Sequence, residues 1–326
     1  MRRRELLGSV GTAAIASSLP CCLLAQPRGS LRVGVVGVLG MVGGRYDLLR
    51  GSLADLGYVE GRNFTFDLAT IERSIDYQPT YAELVKRGAD VLLAVGTEQA
   101  LASARQAAAN RVPVVFFAVD YDPVQSGYVA SLERPGGNLT GIFVNQARLA
   151  TKRVEIAREV LPRAKRFALW WDNPSRAQAE ASQAAAKSMG LAADMIGVSG
   201  QPPDFETAFR LGARLNADAV LLSASPAYLE ARTEIVRLAQ RSRVPVIAAF
   251  RQFVDAGGLL SYGINLQDIF RDMAACIDRI ARGAKPANLP IEQPSKFELA
   301  VNLQTAKALD LTIPQTLLAR ADTVIK

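Results

Sequence analysis

From Leu31 onward, short and nearly continuous apolar runs alternate with segments whose apolar residues recur at helical spacing. Residues 31–38, 63–70, 90–95 and 113–119 read as strands, and their lack of polar alternation predicts burial on both faces. Between them Tyr46, Leu49, Leu53 and Leu56 fall on one helical face, and residues 77–87 and 97–109 read as two further helices. Repeated strand–helix–strand units of this kind predict a parallel sheet covered by helices.

A second series follows the turn-rich stretch 120–141. Strands are expected at 166–171, 192–198, 217–222 and 244–249, alternating with helices at 150–161, 175–189, 205–215 and 227–241. The chain then runs through Gly257 and Gly258 to Gly263 and forms an amphipathic helix with Phe270, Met273, Ile277 and Ile280 inward. It passes Pro286 to Pro294 before a last strand at 297–301. Two successive α/β units plus these late pieces predict an α/β protein of two Rossmann-like lobes with parallel sheets, joined by a hinge of three strands. The expected division is 30–120 with about 258–286 for the first lobe, and 121–257 with about 290–326 for the second. Several passages between lobes suit hinge closure over a ligand.

Composition narrows the chemistry. The 326 residues include no histidine, which removes Ser-His-Asp and Cys-His catalysis, His-ligated zinc and the usual general base near neutral pH. Of the three cysteines, Cys21 and Cys22 lie in a stretch expected to be removed. Cys276 is then left with nothing to pair with, and its place on an apolar helix face predicts a packed thiol. The formal charge of +7 is mild and no Lys/Arg block follows the N-terminus, so no nucleic-acid partner is expected. No metal or cofactor is expected either.

The N-terminus reads as an address. A basic start, an apolar stretch from Leu6 to Leu24 and the junction Ala25-Gln26-Pro27 have the layout of a secretory signal covering residues 1–25. Arg3-Arg4-Glu5-Leu6-Leu7 is similar to a twin-arginine signal, and Gly8, Gly11, Ser17, Ser18 and Pro20 make the stretch a weak membrane anchor. The expectation is a soluble, exported, periplasmic and monomeric protein.

Ligands of parallel α/β lobes bind beyond the carboxyl ends of the strands. Those positions hold Leu39 to Arg45, Gly96 and Thr97, Asp120 to Asp122, Asp172 and Asn173 through Ser175, and Ser223 to Ser225. Thr97, Ser223 and Ser225 can donate to a carboxylate, and Asp120, Asp122 or Asp172 can accept from an ammonium group. The same residue types at the same junctions also cap helices. Trp171, near a strand end, suits ring stacking or core packing, and Tyr262 sits in a glycine-flanked crossing. A rival reading takes Gly37, Gly40 and Asp67, the last placed at the end of the second strand, as a dinucleotide site of an NAD(P)-dependent oxidoreductase. The spacing is not the tight G-x-G-x-x-G of such sites.

Longer stretches then carry a resemblance. Asp120-Tyr121-Asp122-Pro123-Val124, the run from Ser131 through Arg134-Pro135-Gly136-Gly137-Asn138-Leu139-Thr140-Gly141, and the run from Phe253 through Gly257-Gly258-Leu259-Leu260-Ser261-Tyr262-Gly263-Ile264-Asn265 closely resemble ABC-transporter substrate-binding proteins of the tryptophan/tyrosine-binding type. Gly57-Tyr58-Val59-Glu60-Gly61-Arg62-Asn63 and the tail from Leu289-Pro290 to Ala321-Asp322 do so too. The loop Gly40-Met41-Val42-Gly43-Gly44-Arg45 departs from the more polar, proline-bearing loop of that family. The resemblance implies a type I periplasmic binding protein fold, no enzymatic activity, and a small molecule enclosed between lobes for delivery to an ABC permease. Aromatic or other amino acids, or small carboxylates, are the implied ligand class, and Tyr262 and Asn265 match the family motif.

Overall fold

The computed structural model describes residues 30–38, 45–72, 76–119, 121–200 and 203–326. The segment 1–25 expected to be a signal, the loop residues 39–44 and Asp120 lie outside them. Five parallel strands, β1 (Leu31–Val38), β2 (Phe64–Ile71), β3 (Val91–Gly96), β4 (Val114–Val119) and β5 (Leu139–Val144), form one sheet in the order β2-β1-β3-β4-β5. The helices α1 (Arg45–Asp55), α2 (Tyr77–Lys86) and α3 (Glu98–Ala108) cover its two faces. Tyr46, Leu49 and Leu53 of α1 are buried with Val33 and Val35 on one side, and Tyr81, Leu84 and Leu101 are buried with Val114 and Phe116 on the other. Leu56, expected on the buried face, lies beyond the end of α1 and is 40% exposed.

Helix α4 (Gln146–Val160) carries the chain to a second sheet. It holds β6 (Arg166–Trp171), β7 (Ala192–Gly197), β8 (Ala219–Leu222), β9 (Val246–Ala248), β10 (Leu260–Gly263), β11 (Glu298–Asn302) and β12 (Thr323–Ile325). The order is β12-β11-β10-β9-β8-β6-β7, with the β10–β11 pair antiparallel and the rest parallel. Around it lie α5 (Arg176–Ser188), α6 (Phe205–Arg214), α7 (Pro226–Glu230), α8 (Arg232–Ser242), α9 (Gln252–Asp255), α11 (Leu303–Ala308) and α12 (Gln315–Leu318). Trp170 and Trp171 point to opposite faces, as a strand requires: Trp170 is fully buried among Phe205, Phe209 and Tyr228, while Trp171 joins the core on the other side.

Between β10 and β11 the chain returns to the first lobe. Helix α10 (Leu266–Ala281) packs on α1, and the Tyr58 hydroxyl donates to Asp278 at 2.9 Å. Farther on, the Thr140 hydroxyl donates to the Leu289 carbonyl at 2.9 Å and the Phe143 N–H to the Glu292 carbonyl at 2.9 Å. The chain therefore crosses between lobes three times: after β5, after β10 and before β11.

Strand pairing shifts the lobe limits relative to the sequence reading. Residues 139–144 belong to the first sheet rather than the second, and residues 260–263 to the second rather than the first. Glycine hides both strands from the apolar pattern, and each glycine has a packing reason. A Cβ on Gly141 would stand 2.0 Å from the Phe116 carbonyl oxygen, and one on Gly263 would stand 2.1 Å from that of Ala249. Among the described residues no helix is long and apolar enough to cross a membrane.

Candidate functional site

The carboxyl ends of β1, β3 and β4 in one lobe, and of β6, β8 and β9 in the other, bring the expected ligand positions to two walls. On the second wall a compact polar network forms. The Ser175 hydroxyl donates to one Asp172 carboxylate oxygen at 2.5 Å, and the Ser225 hydroxyl donates to the other at 2.5 Å. Ser225 is 1% exposed and also accepts from the Ala227 N–H at 3.1 Å, capping α7. Ser223 is buried beside it, its N–H donating to the Trp170 carbonyl at 3.1 Å, and Asn173 stands exposed at the head of a short 3-10 turn.

Two buried side chains fix this wall from behind. Gln178 accepts from the Ala224 N–H at 2.7 Å and donates to the Ala224 carbonyl at 3.1 Å, holding the residue between Ser223 and Ser225. Arg153, 2% exposed, donates to Gln178 at 3.3 Å and to the Tyr262 carbonyl at 3.3 Å, so one guanidinium joins the wall to the second crossing. Sequence reasoning passed over both. Their signal was a polar residue on the apolar face of a helix, Arg153 beside Val154 and Ala157, Gln178 beside Ala179 and Ser182.

The first wall is aromatic. Tyr46, Tyr77, Tyr81 and Tyr121 follow or approach the carboxyl ends of β1, β2, β3 and β4. The Tyr77 and Tyr81 rings stack at 6.2 Å, and the Tyr81 hydroxyl donates to the Leu93 carbonyl at 2.6 Å. Burial, reinforced by the nearby phenols of Tyr46, Tyr77 and Tyr121, pushes the Tyr81 phenol well above its ordinary range. Tyr121 is raised chiefly by burial, and Tyr228 on the opposite wall by burial and the Asp172 charge. The hydroxyls of Tyr121 and Tyr228 are buried without a hydrogen-bond partner among the described residues. From the sequence Tyr121 falls inside the strand-end run Asp120 to Asp122 and Tyr46 on an apolar helix face, while Tyr77, Tyr81 and Tyr228 carry no site signal.

Several expected site residues have structural partners. Thr97 accepts from the Ala100 N–H at 3.3 Å as the cap of α3, and Asp122 accepts from the N–H groups of Val124 and Gln125 at 2.8 and 3.2 Å, closing a turn. Asn265 caps α10 by accepting from Gln267 at 2.9 Å, and donates to Glu298 at 3.2 Å, linking the second crossing to the third. Trp171 lies over Gly197, with the Arg176 guanidinium 5.1 Å from its ring. Tyr262 lies at the crossings, its ring 6.1 Å from Phe297. Arg45 opens α1, while Asp120 is outside the described residues.

The dinucleotide reading meets a correction. Asp67 does not end β2: it is the fourth residue of a strand that continues to Ile71, paired in register with Gly34. Its carboxylate is 3.4 Å from Arg32 and 3.8 Å from Arg87, away from the ligand edge.

The model for the family described as ABC transporter substrate binding protein matches residues 42–325. The chain belongs to that family. This substrate-binding protein is 24% identical over 269 residues to the tyrosine-binding protein of Clostridioides difficile (strain R20291), covering 80% of this chain and 74% of the relative. It superposes with a TM-score of 0.77 on the ABC domain in complex with L-Trp from Streptococcus pneumonia, at 23% identity, over 91% of this chain and 100% of that one. A conserved domain protein from Vibrio cholerae O1 biovar eltor str. N16961 gives the same TM-score of 0.77 at 26% identity, over 90% and 99%. The fold is that of type I periplasmic binding proteins, two parallel-sheet lobes, and the family's members are binding proteins of ABC transporters rather than enzymes.

Proposed function

We propose that this substrate-binding protein encloses an aromatic amino acid between its lobes and hands it to an ABC permease in the periplasm. The observation that carries the reading is the chemistry at the two sets of strand ends: buried tyrosines at the carboxyl ends of the first lobe's strands, and a carboxylate–hydroxyl network, Asp172 with Ser175 and Ser225, at those of the second. An aromatic ring is matched by the first wall. The Asp172 carboxylate suits the ammonium group of an amino acid and the Ser223 hydroxyl its carboxylate, with Ser225 holding Asp172 in place. The names of two similar proteins, a tyrosine-binding protein and a domain holding L-Trp, agree with this class.

The mechanism is population shift. A ligand that contacts both walls only when the lobes meet stabilises the closed form, and the closed shape is what the permease reads. The segment 1–25 directs export and leaves a mature, monomeric chain from Gln26.

Thermal-shift and calorimetric titration of the chain from Gln26 with L-Trp, L-Tyr, L-Phe, L-Leu and a simple sugar tests the reading. The aromatic amino acids stabilise the protein, by about 2.7 kcal/mol at one hundred times Kd. Binding of L-Leu or the sugar with no response to the aromatic set would overturn it.

A further inference from the structure

A second cavity, of about 680 Å³, lies at the hinge itself and is built from all three crossings. Phe143 of β5 and Asn145 line it where the first crossing begins, Tyr262 of β10 where the second begins, and Phe297 comes from the third, while Arg148, Lys152 and Glu155 project into it from one side of α4. Its size is that of a small-molecule site. The aromatic and ionic halves are distinct: Tyr262 and Phe297 form a tilted pair, and the charged residues recur along the exposed stripe of α4.

Its electrostatics select a ligand. The single carboxylate among the lining residues, Glu155, is already bound to Lys152 at 2.5 Å. The Arg148 guanidinium has no ion-pair partner among the described residues. An ammonium group would enter a positive field with no anion left to meet it, whereas a carboxylate would pair with Arg148.

We propose that the hinge cavity binds a small aryl carboxylate lacking an amino group, its ring against Phe143, Tyr262 and Phe297 and its carboxylate on Arg148, and that occupancy tunes lobe closure. The coupling follows from construction. Three segments that must change their relative course when the lobes rotate share this cavity, so its occupant binds the open and closed forms with different affinity.

Calorimetric titration of the chain from Gln26 with phenylacetate, and in parallel with phenethylamine, is the test. Wild type binds phenylacetate and not the amine. R148Q, at an exposed helix position, weakens phenylacetate about tenfold. S295W, which fills the cavity from an exposed crossing position, abolishes binding. With L-Trp at saturation phenylacetate still binds, with a changed Kd, and by reciprocity it changes the Kd of L-Trp by the same factor. Absence of phenylacetate binding, equal binding of the amine, indifference to both substitutions, displacement by L-Trp, or a coupling factor of one each overturns the proposal. Failure of L-Trp itself to bind would sink the reading of the main cleft and leave the titrations without L-Trp decisive for the hinge.

Discussion

The Ser225 hydroxyl donates to Asp172 across 53 residues of sequence at 2.5 Å, tying the end of β8 to the end of β6. The same carboxylate accepts from Ser175 within its own loop, so Asp172 ties together two loop segments of one wall. Asp172→Ala leaves the Ser225 hydroxyl buried with its acceptor gone, at a cost of about 2 kcal/mol and roughly 4–8 °C in Tm. Asn173→Ala, at the exposed neighbour, stays within about 0.5 kcal/mol of wild type. Thermal denaturation of the two variants checks the contrast, and equal losses would show that the network carries no stability.

The tyrosines of the two walls make a different prediction. Tyr228 is 1% exposed, and its hydroxyl has no partner among the described residues. Tyr228→Phe removes a buried orphan, so stability is unchanged or slightly raised. If the phenol serves the enclosed ligand, affinity for L-Trp or L-Tyr falls about tenfold in the same variant. Urea denaturation and calorimetry read the two effects separately. A large loss of stability would mean that the hydroxyl has a structural partner.

How much of this was legible in the chain depends on the range of the interaction involved. The strands Leu31–Val38 and Arg166–Trp171 coincide with their apolar runs because burial on both faces leaves a continuous local signal. Helix α4 starts at Gln146, earlier than expected, because the Asn145 side chain caps it by accepting from Arg148 at 3.0 Å. The expected helix 227–241 is two helices, divided at Ala231. At the site, the polar residue types at strand ends were legible. Their partners were not: Asp172 with Ser225 and Gln178 with Ala224 are pairings between segments, invisible to spacing along the chain. The tyrosine wall went unread for the same reason, since its four members come from three separate connections, those after β1, β2 and β4.

Two glycines make opposite predictions. Gly141 in β5 has a φ of 155°, and a Cβ there would stand 2.0 Å from the Phe116 carbonyl oxygen and 2.6 Å from its nitrogen. Backbone atoms of a central strand cannot yield, so Gly141→Ala separates β5 from β4 and costs more than about 4 kcal/mol. Gly51 lies inside α1, where an added methyl group would meet nothing within 4 Å. Gly51→Ala therefore stabilises by about 0.4–1 kcal/mol through the unfolded chain. Equilibrium urea unfolding of both variants measures the difference in sign.

The bond from Tyr58 to Asp278 holds the returning helix α10 on the first lobe, and its titration gives a pH signature. Burial, and next the bond to the Asp278 carboxylate, push the Tyr58 phenol from 10.0 up to about 12. Between these values the unfolded chain releases a proton that the folded chain keeps. The unfolded state then binds fewer protons, so stability falls as pH rises through the window, while below pH 10 the contribution is fully present. Tyr58→Phe loses the bond, about 1 kcal/mol at neutral pH, and declines less steeply between pH 10 and 12. Tyr81, Tyr121 and Tyr228, also raised, titrate alike in both proteins, so the difference between the two curves isolates Tyr58. Urea unfolding at pH 8, 10 and 11.5 supplies the curves. Parallel declines would mean that the phenol ionises equally in both states and that α10 is held by its apolar face alone.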